Sequence, residues 1–127
     1  MCDADESPLS VLVVDDQPAM VNLLRMWIDD DDRFVLAGTA ADGRAAVREA
    51  AAECPDGVIC DMDMPEMDGA EAVPILRRMC PDTVIVVYTS DRNLVTKAGR
   101  LGADAVLDKA TPPVDVLDVL AELHRRR

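Results

Sequence analysis

The chain has 127 residues, 50% hydrophobic and 30% charged, which suits one folded domain with a single core and excludes a disordered segment. Acidic residues number 25 against 13 basic ones, and the net charge of −12 repels nucleic acid and anionic membranes, arguing against direct binding to either. No apolar run approaches the ~20 residues of a membrane span and the N-terminus lacks a signal-peptide pattern, so a cytoplasmic protein is expected.

In chain order, residues 1–8 read as an arm whose opening Met1–Glu6 is acidic, ahead of a domain over 9–124. The first strand, Val11–Val14, runs into Asp15-Asp16. A helix over Pro18–Ile28 follows, with Pro18 near its start and apolar residues at Met20, Val21, Leu23, Leu24, Trp27 and Ile28. The carboxylates Asp29–Asp32 read as a solvated connection to a second strand, Phe34–Ala37. Asp42 can cap an alanine-rich second helix, Gly43–Glu53.

The third strand, Val58–Cys60, ends in Asp61, and Asp68 precedes a third helix over Gly69–Met79. Pro74 lies inside that span and predicts a late start or a kink. The fourth strand, Val84–Tyr88, is followed by Thr89 and a helix over Arg92–Leu101 that Gly99 weakens. The fifth strand, Ala105–Leu107, leads to Asp108-Lys109. The last helix, Pro113–His124, presents Val114, Leu117, Leu120, Ala121 and Leu123 on one face. Arg125–Arg127 suit its C-terminal end, as a basic tail or the start of a linker.

Cys2, Cys54, Cys60 and Cys80 form no C-x-x-C pair, and with one histidine in the chain no zinc set arises. Cys60 falls in an apolar run and reads as a small core residue. Cys54 and Cys80 each precede a proline at a predicted helix end, which leaves a regulatory disulfide between them open.

Strands that are continuously apolar, and not alternating, are buried on both faces of a parallel sheet. Alternating βα units with right-handed crossovers then predict a three-layer (βα)5 α/β domain, doubly wound in strand order 2-1-3-4-5. Such folds carry their sites at the carboxyl ends of the strands, near the switch in strand order. There Asp15, Asp16 and Asp61 should converge, where unit charges about 4 Å apart repel by ~4 kcal/mol per pair at an effective dielectric of 20. Oxygen-only ligands of this kind call for Mg²⁺ or Mn²⁺ as counter-charge. Thr89 adds a hydroxyl and Lys109 an ammonium, a set suited to a phosphoryl group with a carboxylate as nucleophile.

Asp-Asp after the first strand, D-x-x-M-P-x-M-D-G from Asp61, Thr89 after the fourth strand and Lys109 after the fifth resemble the receiver domain of bacterial two-component response regulators, a flavodoxin-like fold. The resemblance runs from about Leu9 to Leu123. It implies that Asp61 is the phospho-acceptor. Asp16, Asp61 and the backbone carbonyl of Asp63 would bind Mg²⁺, with Asp15 reaching it directly or through water. Lys109 would pair with Asp61 and then with a phosphoryl oxygen, and Thr89 would bond another oxygen. Pro65 and Gly69 would shape the loop after the acceptor, and Asp68 would cap the third helix. The implied donor is a sensor histidine kinase, with enzymatic activity limited to self-phosphorylation and self-dephosphorylation. Output would fall to another protein or to a domain following Arg127 in a longer parent, and a homodimer through the face of the fourth helix, fifth strand and fifth helix is left open.

Three positions depart from the family's pattern. Val106 stands where an aromatic ring usually relays phosphorylation, leaving Tyr88, next to Thr89, as one candidate substitute. Ala110 replaces the proline that normally follows the lysine, often through a cis bond; cis at a non-proline costs roughly 3 kcal/mol, so a trans or strained backbone is expected. Asp63 and Asp91 place extra carboxylates at positions that border the attacking water, which should discourage anionic donors. Two other readings remain: an interaction module that works without phosphorylation, and a phosphatase using Asp61-Met62-Asp63 as a D-x-D motif. The second leaves Asp15-Asp16 without a role.

Overall fold

The computed structural model describes residues 7–127 except 65, 92 and 94, and the side chains of 95 and 96 are likewise left aside. The acidic arm Met1–Glu6, the loop role of Pro65 and the helix start at Arg92 therefore lie outside the described residues. The elements run β1 (Leu9–Val14), α1 (Pro18–Asp29), β2 (Phe34–Ala40), α2 (Gly43–Ala52), β3 (Gly57–Cys60), α3 (Gly69–Met79), β4 (Val84–Thr89), α4 (Val95–Leu101), β5 (Ala105–Asp108) and α5 (Pro113–Arg125). All neighbouring strands pair in parallel, in the order β2-β1-β3-β4-β5.

Successive strand residues point to opposite faces, and both faces are covered. Leu12, Val14, Val58, Cys60, Ile85 and Val87 pack with Ala46, Ala50, Ala72, Val73, Leu76 and Ala98, under α2, α3 and α4. Val11, Val13, Ile59, Val84, Val86 and Tyr88 pack with Leu24, Ile28, Val116, Leu117 and Leu120, under α1 and α5. Every residue of β3 and β4 is buried, as their unbroken apolar runs require. The second strand differs from expectation. It continues to Ala40 along β1 and, at the edge where the predicted order puts it, leaves Val35 and Ala37 exposed and not buried on both faces.

Two helices also depart in detail. α3 starts at Gly69 with no delay and carries Pro74 in its interior, where the ring removes the N–H that would bond the carbonyl of Ala70. On α5 the buried set is Val116, Leu117 and Leu120, while Val114 is exposed. Asp42 and Asp68 cap α2 and α3, accepting hydrogen bonds from the backbone N–H groups of Ala45 and Glu71. In the acidic run, Asp29 and Asp30 end α1, and Asp31 binds the Arg33 guanidinium at 2.7 Å.

Cys54 and Cys80 are joined by a disulfide that ties the chain just beyond α2 to the C-cap of α3. Among the described residues Cys60 is the free cysteine, fully buried in β3, where burial pushes its thiol up to about 12.

Candidate functional site

The parallel ladder sets the site residues level with one another. Val14 pairs with Cys60, so the residues that follow, Asp15 and Asp61, leave adjacent strands side by side. The Asp61 N–H donates to the Val14 carbonyl at 2.9 Å, and the Lys109 N–H donates to the Thr89 carbonyl at 3.0 Å. These bonds extend the sheet by one residue and fix the backbone at Asp61 and Lys109.

Carboxylate oxygens of Asp15, Asp16 and Asp61 lie within 4.8 Å of one another. Asp15 and Asp61 are buried, and Asp16 is exposed. The Lys109 ammonium reaches Asp15 Oδ2 at 2.7 Å and Asp61 Oδ2 at 3.3 Å. Thr89, 2% exposed, accepts a hydrogen bond at Oγ1 from the Asp91 N–H at 3.2 Å, so its own proton can be directed elsewhere. Asp63 is exposed, and its N–H donates to Asp61 Oδ1 at 3.3 Å. Its carboxylate is not one of the clustered oxygens; the expectation for Asp63 concerned its backbone carbonyl.

Burial raises the Asp61 carboxyl above its ordinary value; the Lys109 charge opposes this and the Asp15 charge adds to it. For Lys109, burial acts to release the proton, but the hydrogen bond it donates to Asp15 and the charge of Asp61 outweigh it and the ammonium is held. Three carboxylates facing one ammonium leave two formal negative charges uncompensated. A hard divalent cation bound by oxygens matches that deficit, and the donor set fits Mg²⁺ or Mn²⁺.

Several local features were not foreseen. Lys109 makes its shorter contact with Asp15, not with Asp61. Glu66 adopts φ 65°, a left-handed conformation that is uncommon outside glycine and recurs at functional loops. Gly69 sits against the backbone that follows β3: a Cβ there would lie 2.5 Å from the Asp61 carbonyl oxygen and 2.7 Å from Met62 Cα. The Asp-Gly pair was the available signal for that close approach. The Lys109–Ala110 bond, by contrast, is trans, one of the two outcomes expected without the proline, since no cis peptide occurs among the described residues.

The response regulator receiver domain family matches residues 11–121. A protein-glutamate methylesterase/protein-glutamine glutaminase from Bordetella avium is 39% identical over 110 residues, covering 84% of this chain and 31% of that protein. The uncharacterized transcriptional regulatory protein YhcZ of Bacillus subtilis is 34% identical over 111 residues, covering 86% of this chain and 52% of its own length. The chain thus spans about a third and about half of these two relatives. The response regulator domain of Thermotoga maritima CheB superposes with a TM-score of 0.76 at 28% identity, covering 94% of this chain and 92% of that one. With its strand order, its acidic cluster and a family match over most of its length, the chain belongs to the response regulator receiver domains of two-component systems.

Proposed function

We propose that this receiver accepts a phosphoryl group on Asp61 in a Mg²⁺-dependent reaction, with a phosphohistidine of a sensor kinase as the natural donor. One observation carries the reading: Asp15, Asp16 and Asp61 converge at adjacent strand ends while Lys109 bridges two of them. Asp16 and Asp61, with the carbonyl of Asp63 and support from Asp15, would hold the metal. When bound, Mg²⁺ supplies the positive charge that lets an acceptor carboxylate and an anionic phosphoryl group approach.

An Asp61 carboxylate oxygen attacks phosphorus; the P–N bond to the donor imidazole breaks, and its electron pair leaves with the imidazole. The product is a mixed anhydride. Lys109 stands 3.3 Å from the acceptor, so its ammonium can neutralise a phosphoryl oxygen after a small shift from Asp15. The Thr89 hydroxyl at the end of β4 would donate to another. Water attack on the same phosphorus reverses the state, releasing phosphate and restoring the carboxylate.

The output belongs to a partner or to a further domain. An esterase and a transcriptional regulator are named among the longer relatives, and either kind of effector is compatible with a shared receiver. Incubating the chain with acetyl phosphate tests the reading by intact mass. With Mg²⁺ the expected result is a gain of one phosphoryl group, lost on chelation or in Asp61→Asn. No adduct in the presence of Mg²⁺ favours the phosphorylation-independent interaction module.

A further inference from the structure

We propose that Tyr88 is a positioning residue for Lys109, its hydroxyl bracing the β5–α5 turn where this chain lacks the family's proline. The inference rests on the phosphoryl-acceptor reading and deepens it. The Tyr88 ring is buried among Val86, Leu117 and other residues of the α1/α5 core, on the sheet face opposite Thr89's position in the alternation. Its hydroxyl reaches past that core to donate to the Thr111 carbonyl at 2.6 Å and lies 3.4 Å from the Lys109 carbonyl. Burial, the largest influence, pushes the phenol up, so it stays a donor at neutral pH.

The turn that Tyr88 holds is the one that aims the lysine. The Thr111 N–H closes it on the Asp108 carbonyl at 2.8 Å, with Lys109 and Ala110 at the two central positions. The Asp108 side chain accepts from the Ala110 N–H at 2.7 Å, as aspartate does at turn starts. A proline after the lysine would restrict this backbone covalently; alanine does not. Here the restriction comes from hydrogen bonds, and the phenol supplies one from a rigid, buried ring anchored one residue before Thr89. A lysine carried by a turn loosened at its far end would lose its fixed distance to Asp15 and Asp61, because reaction geometry tolerates little misplacement.

The test is a double-mutant cycle on the rate of Mg²⁺-dependent labelling by acetyl phosphate, using the full chain, Tyr88→Phe, Lys109→Ala and the double variant. Phenylalanine keeps the ring in the core and removes only the hydroxyl. The expected result is that Tyr88→Phe slows labelling about three- to tenfold, the scale of one hydrogen bond, and has no further effect once Lys109 is alanine. Equal slowing in both backgrounds, or none in either, overturns the proposal. Amide hydrogen exchange at Ala110 and Thr111 gives a readout independent of phosphorylation. Tyr88→Phe should speed it without changing exchange in β1 or β3, and unchanged exchange also overturns the brace. If the unmodified chain takes no label, the phosphorylation reading falls, and exchange alone decides the role of Tyr88.

Discussion

The sharpest tension in the molecule lies at Asp61, a buried carboxylate with a second buried carboxylate, Asp15, beside it and one lysine between them. Burial raises its folded-state pKa, so the folded chain holds that proton more tightly than the unfolded chain does. The sign follows from linkage: without metal, the contribution of Asp61 to stability is full below the unfolded pKa and is lost as pH rises through the raised folded value. Asp61→Asn should therefore be more stable than the parent at neutral pH in a chelating buffer. Its stability should also fall less steeply between acid and neutral pH, as read from urea midpoints. Equal midpoints at both ends of that range would contradict this. The convergence of Asp15, Asp16, Asp61 and Lys109 was legible in the sequence because each follows a strand end. The preference of Lys109 for Asp15 was not, since a difference of a few tenths of an ångström depends on how the turn from Asp108 to Thr111 packs.

Among the elements, the α2–α3 pair shows most clearly what pattern can and cannot reveal. Asp42 and Asp68 were readable as caps, because a short acid ahead of an apolar-periodic run satisfies exposed backbone donors. The Cys54–Cys80 bond could only be left open, as it depends on how two helices 26 residues apart in sequence dock on the same sheet face. Closing a loop of that length restricts the unfolded chain, worth about 3.5 kcal/mol in the chain-entropy account. Reductant should lower the thermal midpoint of the parent and leave a Cys54→Ser variant unmoved; a parent midpoint insensitive to reductant would contradict that contribution. In a reducing compartment the pair stands as two thiols, so the oxidised and reduced forms should differ in stability. The edge position of β2 follows from the predicted order 2-1-3-4-5, but the exposure of Val35 and Ala37 was missed, because Phe34–Ala37 is as apolar as a central strand. α1 is similar. Its apolar set is wider than the face it buries, leaving Leu23, Met26 and Trp27 exposed.

For the whole molecule, two covered sheet faces and one strand-order switch account for why Asp15, Asp16, Asp61, Thr89 and Lys109 all lie at one rim. The order 2-1-3-4-5 was legible from five βα repeats and the placement of acids after the first and third strands. Effector and kinase are not legible, since the longer relatives include both a methylesterase and a transcriptional regulatory protein. Among the described residues no helix is long and apolar enough to cross a membrane. Val106 is half-buried in β5 at the position where the family's pattern has an aromatic ring, so no ring there can relay a signal from the rim. The claim on which all of this depends is that Asp61 itself is the acceptor. Treating the chain with acetyl phosphate and Mg²⁺, reducing the product with borohydride and mapping the peptides tests it directly, because an aspartyl phosphate is converted to homoserine while a free carboxylate is not. Homoserine at position 61, absent when Mg²⁺ is chelated, is the predicted result; homoserine at another aspartate, or at none, would contradict it.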